Sequence, residues 1–95
     1  MQPREYRDMM VSFLEGRTPA KEFAMKFMKT FQTERQIFED RIYTPLGATF
    51  LDADRFDPYN LPDKELFQRL NEQEFREAVQ KHLIEITKVL SDLGE

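Results

Sequence analysis

Apolar side chains recur at every third or fourth position through most of this chain, and this spacing restricts it to amphipathic helices. The first run predicts a helix from about Pro3 to about Glu15. Gly16 should end it, because glycine readily adopts the left-handed conformation that follows a helix. The apolar positions of this run are Tyr6, Met9, Met10, Phe13 and Leu14. No stretch alternates apolar and polar residues well enough to predict a strand.

A threonine followed by a proline precedes each of the next two predicted helices, and this pair suits an N-cap and a first helical position. The pair at 18–19 predicts a helix that continues to about Asp40. The pair at 44–45 predicts a shorter helix that ends at about Arg55. The apolar stripe of the longer helix consists of Ala20, Phe23, Ala24, Phe27, Met28, Phe31 and Phe38.

The segment 56–70 contains two prolines and is therefore predicted to turn rather than to continue a helix. Asn71, followed three residues later by Glu74, predicts a capping box at the start of a last helix that runs to about Leu93. Short connections favour antiparallel neighbours, so we predict an all-α fold, specifically an antiparallel four-helix bundle. The side chains predicted to be buried together are Phe23, Phe27, Phe31, Phe50, Phe75, Val79 and Ile86.

The composition suits one domain over residues 1–95 and removes several classes of function. The chain has no cysteine, which excludes disulfides, thiolate chemistry and cysteine-based zinc sites. No apolar run approaches the roughly 20 residues that span a bilayer. The first ten residues also contain no apolar stretch of signal-peptide length. We therefore expect a cytoplasmic protein, monomeric when free, with no membrane contact.

Neither of the two candidate chemical sites in the sequence predicts catalysis or metal binding. His82 is the only histidine, and it falls on the apolar face of the last helix. It is predicted to be a core side chain with one ring nitrogen bonded to a carboxylate or carbonyl. The alternative is a general base, but a general base would need a nucleophile nearby, and none is apparent. The segment 52–57 resembles the start of a calcium loop, but it lacks the required fifth-position oxygen ligand and sixth-position glycine. We expect no catalytic residue, cofactor or metal.

The net charge of −4 is concentrated in one quarter of the chain. Residues 52–77 contain eight acids and four bases, which gives −4, while the other ten acids and ten bases cancel. This acidity disfavours nucleic-acid binding and favours a basic protein partner. Acidic runs are often only solvated surface, but aromatic residues lie among these acids, as they do in strong protein interfaces. The candidate contact residues, expected to be exposed, are Asp52, Asp54, Asp57, Tyr59, Glu72 and Glu74.

Three stretches, Phe13–Phe23, Ala53–Pro58 and Leu70–Arg76, resemble bacterial colicin-type immunity proteins, especially those directed against colicin D. The order and spacing of the three stretches cover nearly the whole chain. The resemblance implies a small helical bundle that binds the C-terminal nuclease domain of a toxin and blocks its active site. In the colicin D type the toxin cuts tRNA in the anticodon loop, and acidic side chains of the inhibitor occupy its basic cleft.

By this resemblance, Asp54 and Asp57 are the expected toxin contacts, followed by Glu72. The sequence departs from the family pattern in two places. Tyr59 stands where the family tends to have another acid, and the loop before Leu70 is a few residues longer. Because both departures lie in the part that would contact the toxin, the toxin can differ in type while the strategy is kept.

An alternative function is that of a helical adaptor that binds a partner helix in an apolar groove. This function predicts an exposed hydrophobic patch. The two residues that suggest such a patch are Met25 and Ile84, because each falls outside the apolar stripe of its helix.

Overall fold

A computed structural model describes residues 1–58 and 69–94 of the chain, and these residues form an antiparallel bundle of four helices. The predicted all-α class and bundle architecture are confirmed. Apart from the helices, the described residues contain one isolated β-bridge, between Phe56 and Leu70. The helices are α1 (Pro3–Leu14), α2 (Ala20–Gln32), α3 (Asp40–Arg55) and α4 (Glu72–Asp92).

The core is built mainly from aromatic side chains on the inward faces of the helices. Phe13 of α1 stacks on Phe23 of α2 with ring centroids 4.6 Å apart, and Phe75 of α4 lies 5.2 Å from Phe13. Of the seven side chains predicted to be buried together, five are buried, whereas Phe31 and Phe50 are only partly buried. The buried five are Phe23, Phe27, Phe75, Val79 and Ile86.

The predicted end of α2 at Asp40 is wrong, since the helix ends at Gln32. The hydroxyl of Thr33 donates to the carbonyl oxygen of Lys29 at 2.9 Å, so a side chain competes for the backbone groups at the helix end. Phe38, assigned to the α2 stripe from its spacing, instead reaches the core from the connection between α2 and α3, where it packs edge-on against Tyr6 at 6.2 Å.

The predicted start of α3 at Pro45 is also wrong, because the helix begins at Asp40 and contains Pro45 in its second turn. Thr44 does not cap a helix: its hydroxyl donates to the carbonyl oxygen of Asp40 at 3.0 Å. The additional turn places the side chain of Ile42 in the core, where it is buried. This burial favours helix over the non-helical connection that the sequence predicted between residues 40 and 45. Because proline has no N–H, the second turn lacks the backbone hydrogen bond that position 45 would otherwise donate.

Other helix boundaries agree closely with the sequence. Gly16 follows α1 with a φ of 84°, as its position predicted. The capping box of α4 is present: the backbone N–H of Glu74 donates to Asn71 Oδ1 at 2.8 Å, and the N–H of Asn71 donates to Glu74 Oε1 at 3.0 Å. At α2 the boundary moves by one residue, with Pro19 rather than Thr18 at the N-cap. No helix among the described residues is long and apolar enough to cross a membrane.

Candidate functional site

One end of the bundle brings together the ends of all four helices and most of the candidate acids. Arg76 of α4 donates from Nη1 to the carbonyl oxygen of Phe13 at 3.2 Å, which joins α4 to the end of α1. A cleft of about 350 Å³ at this end lies between the start of α2, the end of α3 and the start of α4. We call this region the acidic end. Its cleft is lined by Pro19, Ala20, Lys21, Phe56, Asp57, Pro58, Asn71 and Glu72.

Asp57 is buried, which contradicts the expectation that it is exposed. Only 6% of the residue is accessible, and its Oδ2 lies 3.8 Å from Nη1 of Arg69. Its backbone N–H donates to the carbonyl oxygen of Leu70 at 2.8 Å, while the N–H of Leu70 donates to the carbonyl oxygen of Arg55 at 2.9 Å. These contacts fasten the end of α3 to the chain just before α4. Asp57 therefore has a structural function at the acidic end.

Asp52 is half-buried and bonded to the single histidine. His82 Nε2 lies 2.6 Å from Asp52 Oδ2, and Asp52 Oδ1 lies 3.6 Å from Nη1 of Arg55. This confirms the prediction that one nitrogen of His82 bonds to a carboxylate. The two side chains are 16% and 15% exposed, so the pair links α4 to α3 at the edge of the core.

Glu72 and Glu74 are exposed and lie in the first turn of α4. Glu72 Oε2 accepts a hydrogen bond from Nε of Arg76 at 3.1 Å, and Glu74 completes the capping box with Asn71. Both carboxylates also face the positive end of the helix dipole. Each thus contributes to the start of α4 and still presents a carboxylate to solvent.

Asp54 differs from the other four described candidates. It is exposed, and among the described residues it makes no hydrogen bond or ion pair. It lies in the last turn of α3, where the negative end of the helix dipole disfavours a carboxylate. No structural function in the described part of the chain therefore accounts for Asp54. Tyr59, the sixth candidate, lies outside the described residues, as do Asp63 and Glu65 of the acidic segment.

The charge of the acidic end remains negative even though several of its carboxylates are paired. Its described acids are Asp52, Asp54, Asp57, Glu72, Glu74 and Glu77, and its described bases are Lys21, Arg55, Arg69 and Arg76. Six acids less four bases leave a charge of −2. At distances beyond the individual ion pairs, a partner therefore meets a negative field.

A carboxylate outside the acidic segment, that of Glu34, is bound at the opposite end of the bundle. The hydroxyl of Tyr6 donates to Glu34 Oε1 at 2.6 Å, and the N–H of Gln36 donates to Glu34 Oε2 at 3.1 Å. Although burial alone would raise the pKa of Glu34, hydrogen bonds from Tyr6, the amino group of Met1 and Gln36 lower it to about 2. Burial, and then the contact with Glu34, raise the pKa of Tyr6.

A shallow groove along α2 was not predicted as a site. Its one signal in the sequence was Met25, which falls outside the apolar stripe of its helix. Met25 is 59% exposed and lines the groove, whereas Ile84, 62% exposed on α4, does not line it. Its lining residues are Pro19, Lys21, Glu22, Met25, Lys26, Met28, Lys29, Gln32 and Asp54.

Within residues 1–58 and 69–94, no three histidine or carboxylate side chains are gathered closely enough to hold a metal ion.

Comparison with known proteins found one match. The family model described as bacterial self-protective colicin-like immunity matches residues 1–86. No curated protein and no solved structure matched the chain.

Proposed function

Because the chain belongs to the bacterial self-protective colicin-like immunity family, it is a bacteriocin immunity protein, and we propose that the toxin it neutralises is a basic nuclease. An immunity protein of this family binds a cognate toxin and acts as an inhibitor rather than a catalyst. The proposed target is the toxin's nuclease domain, with tRNA as the substrate class. The proposed binding surface is the acidic end of the bundle.

Asp54 carries this proposal. An exposed carboxylate that has no partner among the described residues, at the helix end that disfavours it, lowers the stability of the free protein slightly. Such a residue is explained if the charge acts on a partner, because binding sites commonly sacrifice stability for function. A nuclease cleft is positively charged since its substrate is a polyanion. The carboxylate of Asp54 would pair with a lysine or arginine that otherwise holds a phosphate.

The remaining candidates divide into two groups by their surroundings. Glu72 and Glu74 point carboxylates into solvent from the first turn of α4 and are proposed to contact the toxin directly. Asp52 and Asp57 are proposed to support this surface, because each holds the end of α3 in place through a neighbour. Tyr59 is proposed as an aromatic contact on the strength of the sequence alone.

The proposed long-range attraction has a separate consequence. The charge of −2 at the acidic end should steer a basic domain toward it, and screening shortens the reach of this field. Association should therefore slow as the salt concentration rises from about 0.05 to 0.5 M. A stopped-flow measurement of the association rate would test this steering. A rate independent of salt would mean that the acidic end does not guide the encounter.

The decisive experiment is co-expression with the toxin encoded beside this protein's gene. Cells that produce the toxin should survive with the native chain and die with Asp54→Lys. The matched control is Glu85→Lys, which changes the net charge equally on an exposed position in the middle of α4. Both variants should show native far-UV circular dichroism. Survival with Asp54→Lys, or death with both variants, would contradict the proposed surface.

A further inference from the structure

The exposed face of α2 forms a groove whose chemistry is opposite to that of the acidic end. Met25 and Met28 form the apolar part of its lining, and Lys26 and Lys29 line it next to them. Met25 is 59% exposed, and Met28, one turn further along α2, is partly buried. We call the surface formed by the groove-lining residues the α2 groove.

The charge along the α2 groove is uneven. The lysines at 21, 26 and 29 and the acids Glu22 and Asp54 sum to +1, on a protein whose net charge is −4. Both acids lie toward the acidic end, at the start of α2 and the end of α3. The other half, from Met25 to Gln32, carries only positive charge. A ligand covering the methionines therefore meets lysines.

The dimensions suit a helix. The lining positions 21, 25, 28, 29 and 32 follow each other at helical spacing, so they form one continuous stripe along α2. Thirteen residues at 1.5 Å each make this stripe about 20 Å long. An amphipathic helix of about four turns laid along it would cover the methionines with its apolar face, and methionine adapts its shape well to such partners.

We propose that the α2 groove binds an acidic amphipathic helix of a partner protein, with Met25 as the apolar anchor and Lys26 and Lys29 pairing with its carboxylates. The sign of the charge separates this surface from the one that faces a basic nuclease. The proposal does not depend on the identity of the toxin. Because the groove includes Asp54, a helix that covers its full length would compete with the toxin for this residue.

The five methionines of the chain allow a direct test by NMR of methyl-labelled methionine. Two synthetic 16-residue amphipathic peptides with the same leucine face would be titrated into the protein, one with glutamates and one with lysines on its flanks. The glutamate peptide should shift the signals of Met25 and Met28 and leave that of Met10 unchanged, since Met10 is fully buried in the core. The lysine peptide should bind at least about tenfold more weakly.

Variants separate the groove from unspecific attraction. Met25→Ala should weaken the glutamate peptide, and Lys26→Glu with Lys29→Glu should reverse the preference between the two peptides. The matched controls lie on α4: Ile84→Ala has a similar exposure, and Lys81→Glu with Lys88→Glu makes the same charge change. These controls should leave the affinity ratio of the two peptides unchanged.

Three results would overturn the proposal. The first is the absence of any shift at Met25 and Met28 up to about 1 mM glutamate peptide. The second is equal affinity for both peptides, or an equal effect of the α4 controls. The third is a shift of the Met25 signal with protein concentration alone, which would identify a second copy of this chain as the occupant of the groove.

Discussion

The same substitution, Asp→Asn, should have opposite effects at Asp54 and Asp57. At Asp57 it should lower the melting temperature, whereas at Asp54 it should weaken toxin binding. Asp57→Asn keeps the shape of a side chain that is 6% exposed but removes the charge that faces Arg69 at 3.8 Å. Removing one charge of a partly buried ion pair should cost about 1.5–3 kcal/mol, between the values for exposed and for fully buried pairs. In a domain of this size that loss lowers the melting temperature by roughly 6–24 °C.

Asp54→Asn should leave the melting temperature unchanged or raise it slightly. The side chain is exposed and unpaired within the described part of the chain, and its charge opposes the dipole at the end of α3. The reverse order is expected for toxin binding. Asp54→Asn should weaken the complex, because a cation of the toxin cleft loses its partner, a loss worth about 2–5 kcal/mol for a buried interfacial charge pair.

Thermal and urea unfolding followed by circular dichroism would measure the first effect, and titration calorimetry with the toxin domain the second. Equal melting temperatures for both variants would refute the structural function of Asp57. A loss of stability with Asp54→Asn comparable to that with Asp57→Asn would show that Asp54 also holds the fold. In that case the argument that assigns Asp54 to a partner would fail.

Three further predictions concern the core and the two buried polar contacts. Phe27→Ala should cost about 3–5 kcal/mol in urea unfolding, since the ring is fully buried; a smaller cost would mean that the core collapses around the cavity. The pKa of Glu34 is lowered from its ordinary 4.5 to about 2, so the ionised carboxylate stabilises the fold fully above about pH 4.5, and this stabilisation is lost as the pH falls toward 2. Glu34→Gln should make the free energy of unfolding depend less on pH between about 4.5 and 2. An unchanged pH dependence would contradict the shift. His82→Gln should lower stability by about 1–3 kcal/mol and leave toxin neutralisation intact, whereas lost neutralisation at unchanged folding would place His82 in the function itself.

The sequence was sufficient to predict the four helices of the described residues and most of the core. Helical spacing of apolar residues is a strong signal when the stripe is aromatic, and Phe23, Phe27 and Phe75 were placed correctly for that reason. Glycine after α1 and the Asn71–Glu74 box were reliable because each satisfies backbone groups that a helix end leaves unpaired. These signals are local, so they do not depend on tertiary contacts.

The errors lie where a local pattern competes with a tertiary contact. Phe38 continues the spacing of the α2 stripe, but Glu34 is drawn to Tyr6 and the chain leaves the helix after Gln32. Similarly, the Thr44–Pro45 pair satisfies the pattern of a helix start while burial of Ile42 favours an earlier turn of helix. At α2 a contact between residues distant in sequence outweighed the helical spacing of one apolar residue. At α3 burial in the core outweighed a capping preference, which is worth only about 1 kcal/mol.

The acidic segment was visible in the sequence, but the separate functions of its carboxylates were not. Counting charge placed Asp52, Asp54 and Asp57 together with equal weight, because spacing in sequence does not reveal which of them meets His82 or Arg69 in the fold. A net charge of −4 describes the field that a distant partner meets. Only the surroundings of each carboxylate decide whether it is available for contact.

The helix dipole explains how the acids of this end can combine a structural function with the proposed binding function. Carboxylates at the start of α4 stabilise that helix, so Glu72 and Glu74 can remain exposed at no cost to the fold. At the end of α3 the dipole opposes negative charge, and Asp52 and Asp57 are each paired with a base or a histidine. Asp54 is the exception to both arrangements among the described acids of this end. A carboxylate that neither the dipole nor a neighbour stabilises in the free protein gains most from a cation on a partner, and this makes position 54 the strongest candidate for the contact that defines the toxin.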